Sequence, residues 1–526
     1  MSAAGPAELE IKLRLAPADA AALLRHPALV ALKRARAHTA LLRSTYFDTD
    51  ARRLADAGVG LRIRRAGARW TQTVKGPQDA RSGGGLAARP EYEWPLRAGM
   101  TMPPLDRALL DDTPWKKPLR KALRDGVRPQ FVTAIARTTV PLAFADSTMA
   151  MLCLDVGEIR ASGDGGKVRI CEVELELESG HVHNLFELAR ALAADLDLAP
   201  ETASKAARGY ALVARTRPAP LRAEDAALPA KAPTAEALAA IVRSCLRQIE
   251  GNADGVANAR DPEWVHQMRI GTRRLRAALS LMRDVAPAGM LAPLIEETRW
   301  LAQKLGAARD LDVLATETLP AIAAAIRTAG ESAATAALRS LRAKVARRRH
   351  VADAEARAAV ASRRYVALVL AVGAFAARPR FGAEPGSPAD EILGLRARDF
   401  ARPLLTHRAR KLAKRGRDLP AAPPAERHVA RLAAKRLRYA TAFFALLFPR
   451  KRARAYQDAL ARLQDVLGAL NDAAVAANLA AAVAGPDAPA TTTLQGWAAA
   501  QTALRADELA KSWRNFTAAQ PFWRGD

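Results

Sequence analysis

The sequence is poor in several features that would have pointed to other classes of protein. It contains only three cysteines, Cys153, Cys171 and Cys245, and their spacing matches no metal site. This excludes a disulfide scaffold and indicates a reducing compartment. Aromatic residues make up only 5% of the chain, which argues against a stacking platform for single-stranded nucleic acid. The apolar run at 365–377 is too short to span a bilayer comfortably, so we expect no membrane partner.

Two further signals are missing. The first ten residues have neither the basic region nor the apolar stretch of a secretory signal, so we expect a cytoplasmic protein. The glycines within 82–91 are not followed by Gly-Lys-Ser or Gly-Lys-Thr. We therefore interpret this segment as a turn and not as a phosphate-binding P-loop.

Acidic residues are also scarce relative to basic ones. The 526 residues include 81 Lys and Arg against 54 Asp and Glu, which gives a formal net charge of +27. Most of this excess lies beyond residue 220. Such a charge balance favours polyanionic partners such as phosphate compounds, nucleic acid or an anionic membrane.

The chain has two parts with different periodicity. Residues 1–215 show short alternating stretches separated by glycine-rich turns, which predicts strands, whereas residues 236–520 show helical periodicity. Residues 216–235 are rich in proline and alanine, which predicts a linker. Within the first part we predict strands at 8–15, 59–65, 69–75, 91–96, 131–140, 149–156 and 168–177, and helices at 17–32 and 181–197.

The predicted strands repeatedly carry charge on one face and apolar residues on the other. In "ELEIKLRL", Glu8, Glu10 and Lys12 point one way and Leu9, Ile11 and Leu13 the other. A single strand of this kind fits an ordinary solvated sheet face. Repetition over at least six strands favours a closed barrel with a charged interior and an apolar outside covered by helices. The other charged positions are Arg62, Arg64, Lys75, Glu91, Glu93, Arg137, Asp155, Glu172, Glu174, Glu176 and Glu178.

This charged interior predicts a metal–polyphosphate ligand. Carboxylate oxygens are hard ligands that suit Mg²⁺ or Mn²⁺, and Arg and Lys bind phosphate oxygens. Catalysis of phosphoryl transfer needs mainly positioning and charge neutralisation, which these side chains provide.

An ordered set of motifs makes the first part similar to a known family. The segment "ELEIK" (8–12) is followed by "YFDT" (46–49), "LRIRR" (61–65), "TVKGP" (73–77), "RPEYEW" (89–94), "VELELE" (173–178) and "SKAARGYAL" (204–212). This order resembles the CYTH superfamily of triphosphate tunnel metalloenzymes. The resemblance implies an eight-stranded antiparallel barrel that forms a tunnel. It also implies metal-dependent hydrolysis of inorganic triphosphate or thiamine triphosphate, or cyclisation of ATP.

The paired carboxylates and the cationic strand faces predict that residues 1–215 alone hydrolyse triphosphate with a metal ion. The resemblance also implies roles for individual residues. Glu91 and Glu93 would support the site or bind a second metal ion. Which of the three glutamates on the 168–177 strand binds metal stays open, because the alternation runs past the motif. The implied catalytic residues are Glu8, Glu10, Lys12, Glu174 and Glu176; the metal ligands are Glu8, Glu10, Glu172, Glu174 and Glu176; and the substrate-binding residues are Lys12, Arg62, Arg64, Lys75, Arg137 and Lys205.

The second part contains an internal repeat. "HQMRIGTRRLR" (266–276) is similar to "HVARLAAKRLR" (428–438), and "LGAARD" (305–310) is similar to "LGALND" (467–472), both at an offset of 162 residues. This predicts a duplicated helical unit and two packed bundles. On a helix each copy forms a stripe of His, Arg and Lys, which we call the basic stripe. Its predicted members are His266, Arg269, Arg273, Arg274 and Arg276, and His428, Arg431, Lys435, Arg436 and Arg438.

The basic stripe has two interpretations. It is a solvated basic face, neutralised in part by Asp310 and Asp472, or it is an anion-binding surface, which the duplication favours. The second part resembles the CHAD domain, a pair of four-helix bundles associated with inorganic polyphosphate. It departs from a strict repeat where Lys435 replaces Arg273 and Asn471 replaces Arg309.

Together these observations predict an inorganic triphosphatase of the CYTH–CHAD arrangement with a polyphosphate-binding helical domain. The alternatives are a thiamine triphosphatase or nucleotide cyclase of the same fold, and a non-catalytic polyphosphate-binding scaffold. Nucleic-acid binding by the basic half is less favoured, and the sequence leaves the oligomeric state open.

Overall fold

The computed structural model of the protein describes residues 7–79, 82–97, 99, 101–163, 165–216, 218–329 and 332–524. The chain forms two compact units. The barrel unit comprises residues 1–220 together with 362–378, and the helical unit comprises 221–361 together with 379–526. Residues 1–6, on which the prediction about a secretory signal partly depends, lie outside the described residues.

The core of the barrel unit is a closed antiparallel β-barrel. Eight strands follow one another around it in the order β1-β5-β4-β3-β2-β6-β7-β8, and β8 pairs again with β1. The short β9 pairs with β1 over Leu13–Leu15, next to the part of β1 that pairs with β5. The predicted eight-stranded barrel is therefore confirmed. The strands are β1 (Ala7–Leu15), β2 (His38–Asp48), β3 (Gly60–Ala66), β4 (Arg69–Lys75), β5 (Leu86–Leu96), β6 (Arg128–Ala143), β7 (Met149–Ala161), β8 (Lys167–Ser179) and β9 (Leu198–Pro200).

Seven of these nine strands match the sequence predictions, whereas β2 and the short β9 were missed. β2 is the one that belongs to the closed barrel. Its first half contains the consecutive apolar residues Ala40, Leu41 and Leu42, which hide the alternation on which the prediction of strands depends. Inward-facing positions of β2 nevertheless reach the barrel interior at Ser44 and Tyr46.

The apolar outer face of the barrel is covered by helices, as predicted, although by more of them. Leu61, Ile63 and Val74 pack with Leu119 in one buried cluster. Leu119 belongs to a helix, Lys116–Asp125, that the sequence analysis did not identify.

The helices of the two units are numbered in chain order. The predicted helix at 17–32 is wrong as a continuous element, because Pro27 restricts His26 to an extended conformation and a new turn starts there. The helices are α1 (Ala20–Leu23), α2 (Pro27–Val30), α3 (Arg53–Asp56), α4 (Arg107–Leu110), α5 (Lys116–Asp125), α6 (Val182–Asp195), α7 (Lys205–Ala214), α8 (Thr234–Asn258), α9 (Glu263–Leu281), α10 (Ala288–Val313), α11 (Leu319–Ala329), α12 (Ser332–Val360), α13 (Arg363–Ala377), α14 (Pro388–Gly394), α15 (Ala397–Arg415), α16 (Pro424–Phe444), α17 (Arg450–Ala484), α18 (Pro489–Leu504) and α19 (Ala506–Ala518).

The helical unit contains the sequence repeat on equivalent helices. The two copies of the His-Arg motif lie on α9 and α16, and the later pair of motifs lies on α10 and α17. Part of the predicted linker is packed into this unit. Asn252 exchanges hydrogen bonds with the backbone of Leu221, and Leu228 is buried.

Two observations bear on the apolar segments. Among the described helices, α17 is long enough and apolar enough to cross a membrane, judged by length and composition alone. The core helix of a soluble protein can meet the same two criteria. The run at 365–377 forms most of α13, and ten of the 15 residues of this helix are buried. Although α13 lies within the helical half of the sequence, it belongs to the barrel unit.

Candidate active site

The barrel encloses a cavity of about 490 Å³. The alternation of each strand places its charged residues inside, so all eight barrel strands contribute to the lining. Among the described residues, the lining holds seven cationic side chains and eight carboxylates. This near balance means that a polyanion would enter favourably only with additional positive charge. The charged lining residues are Lys12, Arg62, Arg64, Lys75, Arg89, Arg137 and Lys205, with Glu8, Glu10, Glu91, Glu93, Asp155, Glu174, Glu176 and Glu201.

One group of carboxylates has the composition of a metal site. Glu8 and Glu10 on β1 and Glu176 on β8 each offer an oxygen within 4.8 Å of the others. Burial, together with the neighbouring carboxylates, raises the pKa of Glu10, although Lys12 opposes the shift. Burial and the same crowding raise the pKa of Glu176 to about 7. These three oxygen donors fit a hard divalent cation, which would relieve their mutual repulsion.

A second group of carboxylates is already neutralised by fixed cations. Asp155, Glu172 and Glu174 are buried, and their oxygens also lie within 4.8 Å of one another. Lys205 at the start of α7 contacts all three, with Nζ 2.7 Å from Asp155 and 2.8 Å from Glu174. Burial alone would raise the pKa of Glu174, but Lys12, Lys205 and Arg137 hold it well below its usual range.

Lys12 and Arg137 connect the two groups of carboxylates. Lys12 Nζ lies 3.2 Å from Glu10 and 2.9 Å from Glu174. Arg137 forms a two-pronged ion pair with Asp155 at 2.7 Å, contacts Glu174, and lies 3.2 Å from Glu176. Burial opposes the charged form of Lys12, yet Glu10 and Glu174 raise its pKa well above the usual value. Lys12 is therefore a fixed cation beside the metal-site carboxylates.

A third set of charges lies on the β3, β4 and β5 wall. Lys75 Nζ lies 2.5 Å from Glu8 and 2.9 Å from Glu91. Arg62 lies 3.1 Å from Glu91 and donates a 3.3 Å hydrogen bond to the Tyr46 hydroxyl. Glu91 and Glu93 thus form ion pairs with the cations of this wall, Arg62 and Lys75.

Two guanidinium groups of the cavity have no carboxylate partner among the described residues. Arg64 donates only to the Ser44 hydroxyl, at 3.3 Å, and Arg89 has no ion pair. Burial, followed by repulsion from Arg62 and Arg137, lowers the pKa of Arg64, and burial lowers the pKa of Arg89. Both side chains are half-buried and, within the part of the chain that the structure describes, have no carboxylate partner, so their N–H donors are available to an anion.

The cavity includes most, but not all, of the predicted site residues. Glu172 is fully buried behind the lining, where it contacts Lys205 and Arg208. The sequence analysis did not single out Arg89 or Tyr46, although both stand in the motifs it quoted. Their inward position depends on the strand register, which residue type alone does not reveal.

The aromatic residues lie mostly outside the cavity. Trp70 and Trp94 pack in the cluster on the outer face, and Tyr92 stacks against Trp94. The lining contains Tyr46 and Tyr210. Tyr46 stacks on Phe131 with ring centres 4.5 Å apart, so its outer face is already used in packing.

The helical unit brings the two copies of the basic stripe together, because α9 packs against α16. Arg269 pairs with Asp310 at 2.9 Å, and Arg431 lies 3.7 Å from Asp472, which repeats the same pairing in the second copy. Arg273 and Lys435 occupy equivalent positions, and neither has a hydrogen bond or an ion pair within the described part of the chain.

The pKa of Lys435 reflects the cations that surround it. Burial, followed by repulsion from Arg273, Arg431 and Arg269, lowers its pKa to about 7. A lysine with such a value lies in a strongly positive field. A bound polyanion would reverse this field and restore the charge on the amine.

The remaining members of the basic stripe have different surroundings. Arg274 is buried and donates to Gln248, Ser244 and the carbonyl of Glu224, so it is a packing residue. His266 is half-buried, and burial followed by repulsion from Arg309 lowers its pKa. The stripe also includes the exposed residues His428, Arg276, Arg436 and Arg438, the last of which donates to Gln464.

The closed antiparallel barrel and its cavity, which combines a cluster of three carboxylates with several guanidinium groups, define a class of proteins with a charged tunnel. Comparison with family models agrees with this class. The model of the CYTH domain matches residues 6–210, and the model of the CHAD domain matches residues 240–481. The chain therefore contains a CYTH domain followed by a CHAD domain.

Individual relatives match each part separately. An inorganic triphosphatase from Haemophilus influenzae is 33% identical over 205 residues, which cover 39% of this chain and 54% of the relative, so the match spans about half of that protein. The crystal structure of the CHAD domain from the plant Ricinus communis is 36% identical, with a TM-score of 0.49, and covers 57% of this chain and 98% of the other. The Hippeastrum protein HpAC1, described as having a dominant triphosphatase activity, is 21% identical over 39% of this chain and 95% of its own, with a TM-score of 0.27.

Proposed function

We propose that the barrel unit hydrolyses inorganic triphosphate with the help of a divalent cation, Mg²⁺ or Mn²⁺. The observation that carries this proposal is the presence of two complementary parts in one cavity. The carboxylates Glu8, Glu10 and Glu176 offer a cation site, while Arg64 and Arg89 form no ion pair with any carboxylate that the structure describes. An anion of several phosphates with a bound metal ion complements both.

The side chains of the cavity act by holding charge in place. Glu8, Glu10 and Glu176 would hold a divalent cation, and its charge would offset the negative charge that develops on the phosphates during transfer. Arg64 and Arg89 would bind phosphate oxygens through their guanidinium groups. Lys12, fixed between two carboxylates, supplies positive charge beside the cation. Catalysis then results from preorganised electrostatics rather than from a covalent intermediate.

The lining favours inorganic triphosphate over thiamine triphosphate. Recognition of an organic ring would call for exposed aromatic faces, but Trp70, Tyr92 and Trp94 lie outside the cavity, and Tyr46 is stacked on Phe131. A purely scaffolding role leaves the buried carboxylates of the barrel without a purpose, because a polyphosphate-binding surface does not need them.

The test is phosphate release by the full-length protein from triphosphate, pyrophosphate, ATP and thiamine triphosphate, each with Mg²⁺, Mn²⁺ or EDTA. We expect rapid release from triphosphate with either metal and none in EDTA. Activity that survives EDTA, or a clear preference for thiamine triphosphate, would refute the proposal.

We also predict weak hydrolysis of pyrophosphate. The cation site lies on β1 and β8, and Arg89 lies beside Glu8 across the pairing of β1 with β5. Arg64 lies on β3, which β4 and β5 separate from β1, so a shorter anion makes fewer of these contacts at once. We expect kcat/KM for pyrophosphate to be at least about a hundredfold lower, which corresponds to the loss of about two charge-assisted contacts. Comparable kcat/KM values for the two substrates would contradict this prediction.

We further propose that the helical unit binds inorganic polyphosphate at the basic stripe. The supporting observation is the pair Arg273 and Lys435, which have no ion pair among the described residues, while the adjacent Arg269 and Arg431 do. An anion bound here would neutralise the positive charge of Arg273 and of Lys435, one residue from each copy of the basic stripe. Binding should weaken as salt rises, since bound counter-ions are released when phosphates are neutralised.

Polyphosphate binding should depend on pH through Lys435. The pKa of this amine is about 7 in the free protein, because burial and Arg269, Arg273 and Arg431 disfavour its charge while Asp472 supports it. A bound polyanion raises that pKa, so binding takes up a proton. The affinity for polyphosphate is then highest well below pH 7 and falls as the pH rises, by roughly eightfold between pH 6.5 and pH 8.

The measurement is polyphosphate affinity at several pH values for the wild type and for Lys435→Arg. The arginine stays charged throughout this range, so its affinity should be nearly constant. Both proteins keep His266 and His428, so any contribution of these histidines is common to the two, and the difference between the slopes reports on Lys435. An equal slope in both proteins would exclude Lys435 as the titrating group.

A further inference from the structure

Helix α13 is the one described helix that lies in the barrel unit but comes from the helical half of the sequence. The chain leaves the helical unit after residue 361, forms α13, and returns after residue 378. Ser362 caps the start of α13 by accepting a hydrogen bond from the amide of Tyr365. Because the chain leaves the helical unit for this one helix, the contacts of α13 within the barrel unit indicate what the helix does there.

α13 packs antiparallel to α6. At its start, Arg363 donates hydrogen bonds of 3.0 and 3.2 Å to the carbonyls of Ala194 and Asp195 at the end of α6. At its other end, Arg378 lies 3.9 Å from Glu187. Between them, Gly373 faces Phe186 so closely that a methyl group there would overlap the ring. The absence of a side chain at Gly373 is therefore what allows the two helices to approach.

The same face of α13 reaches the seam of the barrel. The seam is the place along β1 where pairing with β5 ends and pairing with β9 begins, and the turn Gly83–Gly85 fills it. All three glycines of this turn have positive φ, between 76° and 132°, which favours glycine at each position. A Cβ at Gly373 would lie 3.1 Å from the carbonyl oxygen of Gly84, and one at Gly85 would lie 3.9 Å from Leu370.

The turn holds the backbone of Lys12. The amide of Lys12 donates a 3.1 Å hydrogen bond to the carbonyl of Gly85, and the carbonyl of Lys12 accepts one of 2.9 Å from the amide of Glu201. Both backbone groups of Lys12 are thus fixed at the seam, while its ammonium group lies between Glu10 and Glu174 in the cavity. A shift of the turn would move Lys12 relative to both carboxylates.

We infer that α13 is a positioning element of the catalytic barrel, which fixes Lys12 through the Gly83–Gly85 turn. This inference rests on the proposed triphosphatase function for its kinetic consequence but not for its structural one. It also implies that a fragment of residues 1–215 lacks part of its own catalytic unit, although the sequence predicted that such a fragment would be active alone.

The test compares Leu370→Ala with Leu368→Ala in the full-length protein. Both remove the same atoms from a buried leucine of α13, but the two positions are about 200° apart around the helix, so only Leu370 faces the turn. We expect Leu370→Ala to accelerate hydrogen exchange of the Lys12 amide by about tenfold and to lower kcat by about tenfold at temperatures where the protein is folded. KM should change less, and Leu368→Ala should leave both readouts unchanged.

The alternative outcomes are distinct. If Leu370→Ala lowers only the melting temperature, with the same Lys12 exchange and kcat per folded molecule, α13 is merely structural and the inference is wrong. If the wild type hydrolyses no triphosphate, the proposed function fails, while the exchange of the Lys12 amide still decides the role of α13. If Leu370→Ala does not fold, Leu370→Val removes less of the contact and gives the same comparison.

Discussion

Replacement of Glu10 by glutamine is expected to reduce triphosphate hydrolysis by about a hundredfold or more while leaving the barrel folded. Glutamine keeps the shape of the side chain but removes one of three negative charges from the proposed cation site. The loss of one preorganised electrostatic contributor typically costs about this much in rate. Burial and crowding with other carboxylates already raise the pKa of Glu10, so the ionised form of this side chain is disfavoured in the folded protein. Removing that charge should therefore not harm the fold.

The measurement is kcat and KM for triphosphate over a range of Mg²⁺ and Mn²⁺ concentrations. We expect the metal concentration for half-maximal rate to rise in Glu10→Gln, because a ligand has been weakened. The matched control is Glu178→Gln, which makes the same chemical change at an exposed position on the same sheet. Wild-type activity in Glu10→Gln would show that hydrolysis does not depend on this cluster of three carboxylates, and it would contradict the proposed role of the cation.

The sequence predicted the barrel well because the signal is periodic. Alternation over Glu8, Glu10 and Lys12 and over Arg62 and Arg64 forces these residues to one face, and closure of the barrel turns that face into a cavity. Residue type then suffices to predict a metal and phosphate environment. The same logic failed for β2, where consecutive apolar residues mask the alternation, and for 17–32, where Pro27 breaks a helical pattern.

Other features depend on which side chains meet, which local patterns do not encode. The sequence placed Glu172, Glu174 and Glu176 on one face without deciding between them. The structure separates Glu176, beside Glu8 and Glu10, from Glu174, which is neutralised by Lys12, Lys205 and Arg137. This division results from the register between β1 and β8 and from the position of α7.

The place of α13 shows a second limit of sequence reasoning. The helical character of 363–377 is evident from composition, but nothing local indicates that this helix joins a unit that ended about 140 residues earlier in the chain. The relevant signals are Gly373, opposite Phe186, and the glycine turn at 83–85, and each is uninformative by itself. Only the packed structure shows that they complement one another.

The second large effect is expected in the helical unit, where Arg273→Ala combined with Lys435→Ala should weaken polyphosphate binding by roughly 30-fold. Each substitution removes a cation that lacks a protein counter-ion and is therefore available to a phosphate group. Two such contacts at about 1 kcal/mol each correspond to this factor. The salt dependence of binding should become shallower, because fewer counter-ions are released. Hydrolysis of triphosphate should stay nearly unchanged, since neither residue lies in the barrel unit.

The control must separate this site from net charge. Arg410→Ala combined with Lys414→Ala removes the same charge from exposed positions on α15, in the same unit. Affinity for polyphosphate is measured at two salt concentrations for the wild type and for both double variants. We expect only the Arg273 and Lys435 variant to lose affinity strongly, because its two cations are the ones that the paired helices α9 and α16 bring together. An equal loss in both variants would mean that polyphosphate responds to the overall charge of the unit. Unchanged binding in both would make the duplicated stripe a structural feature of the bundles.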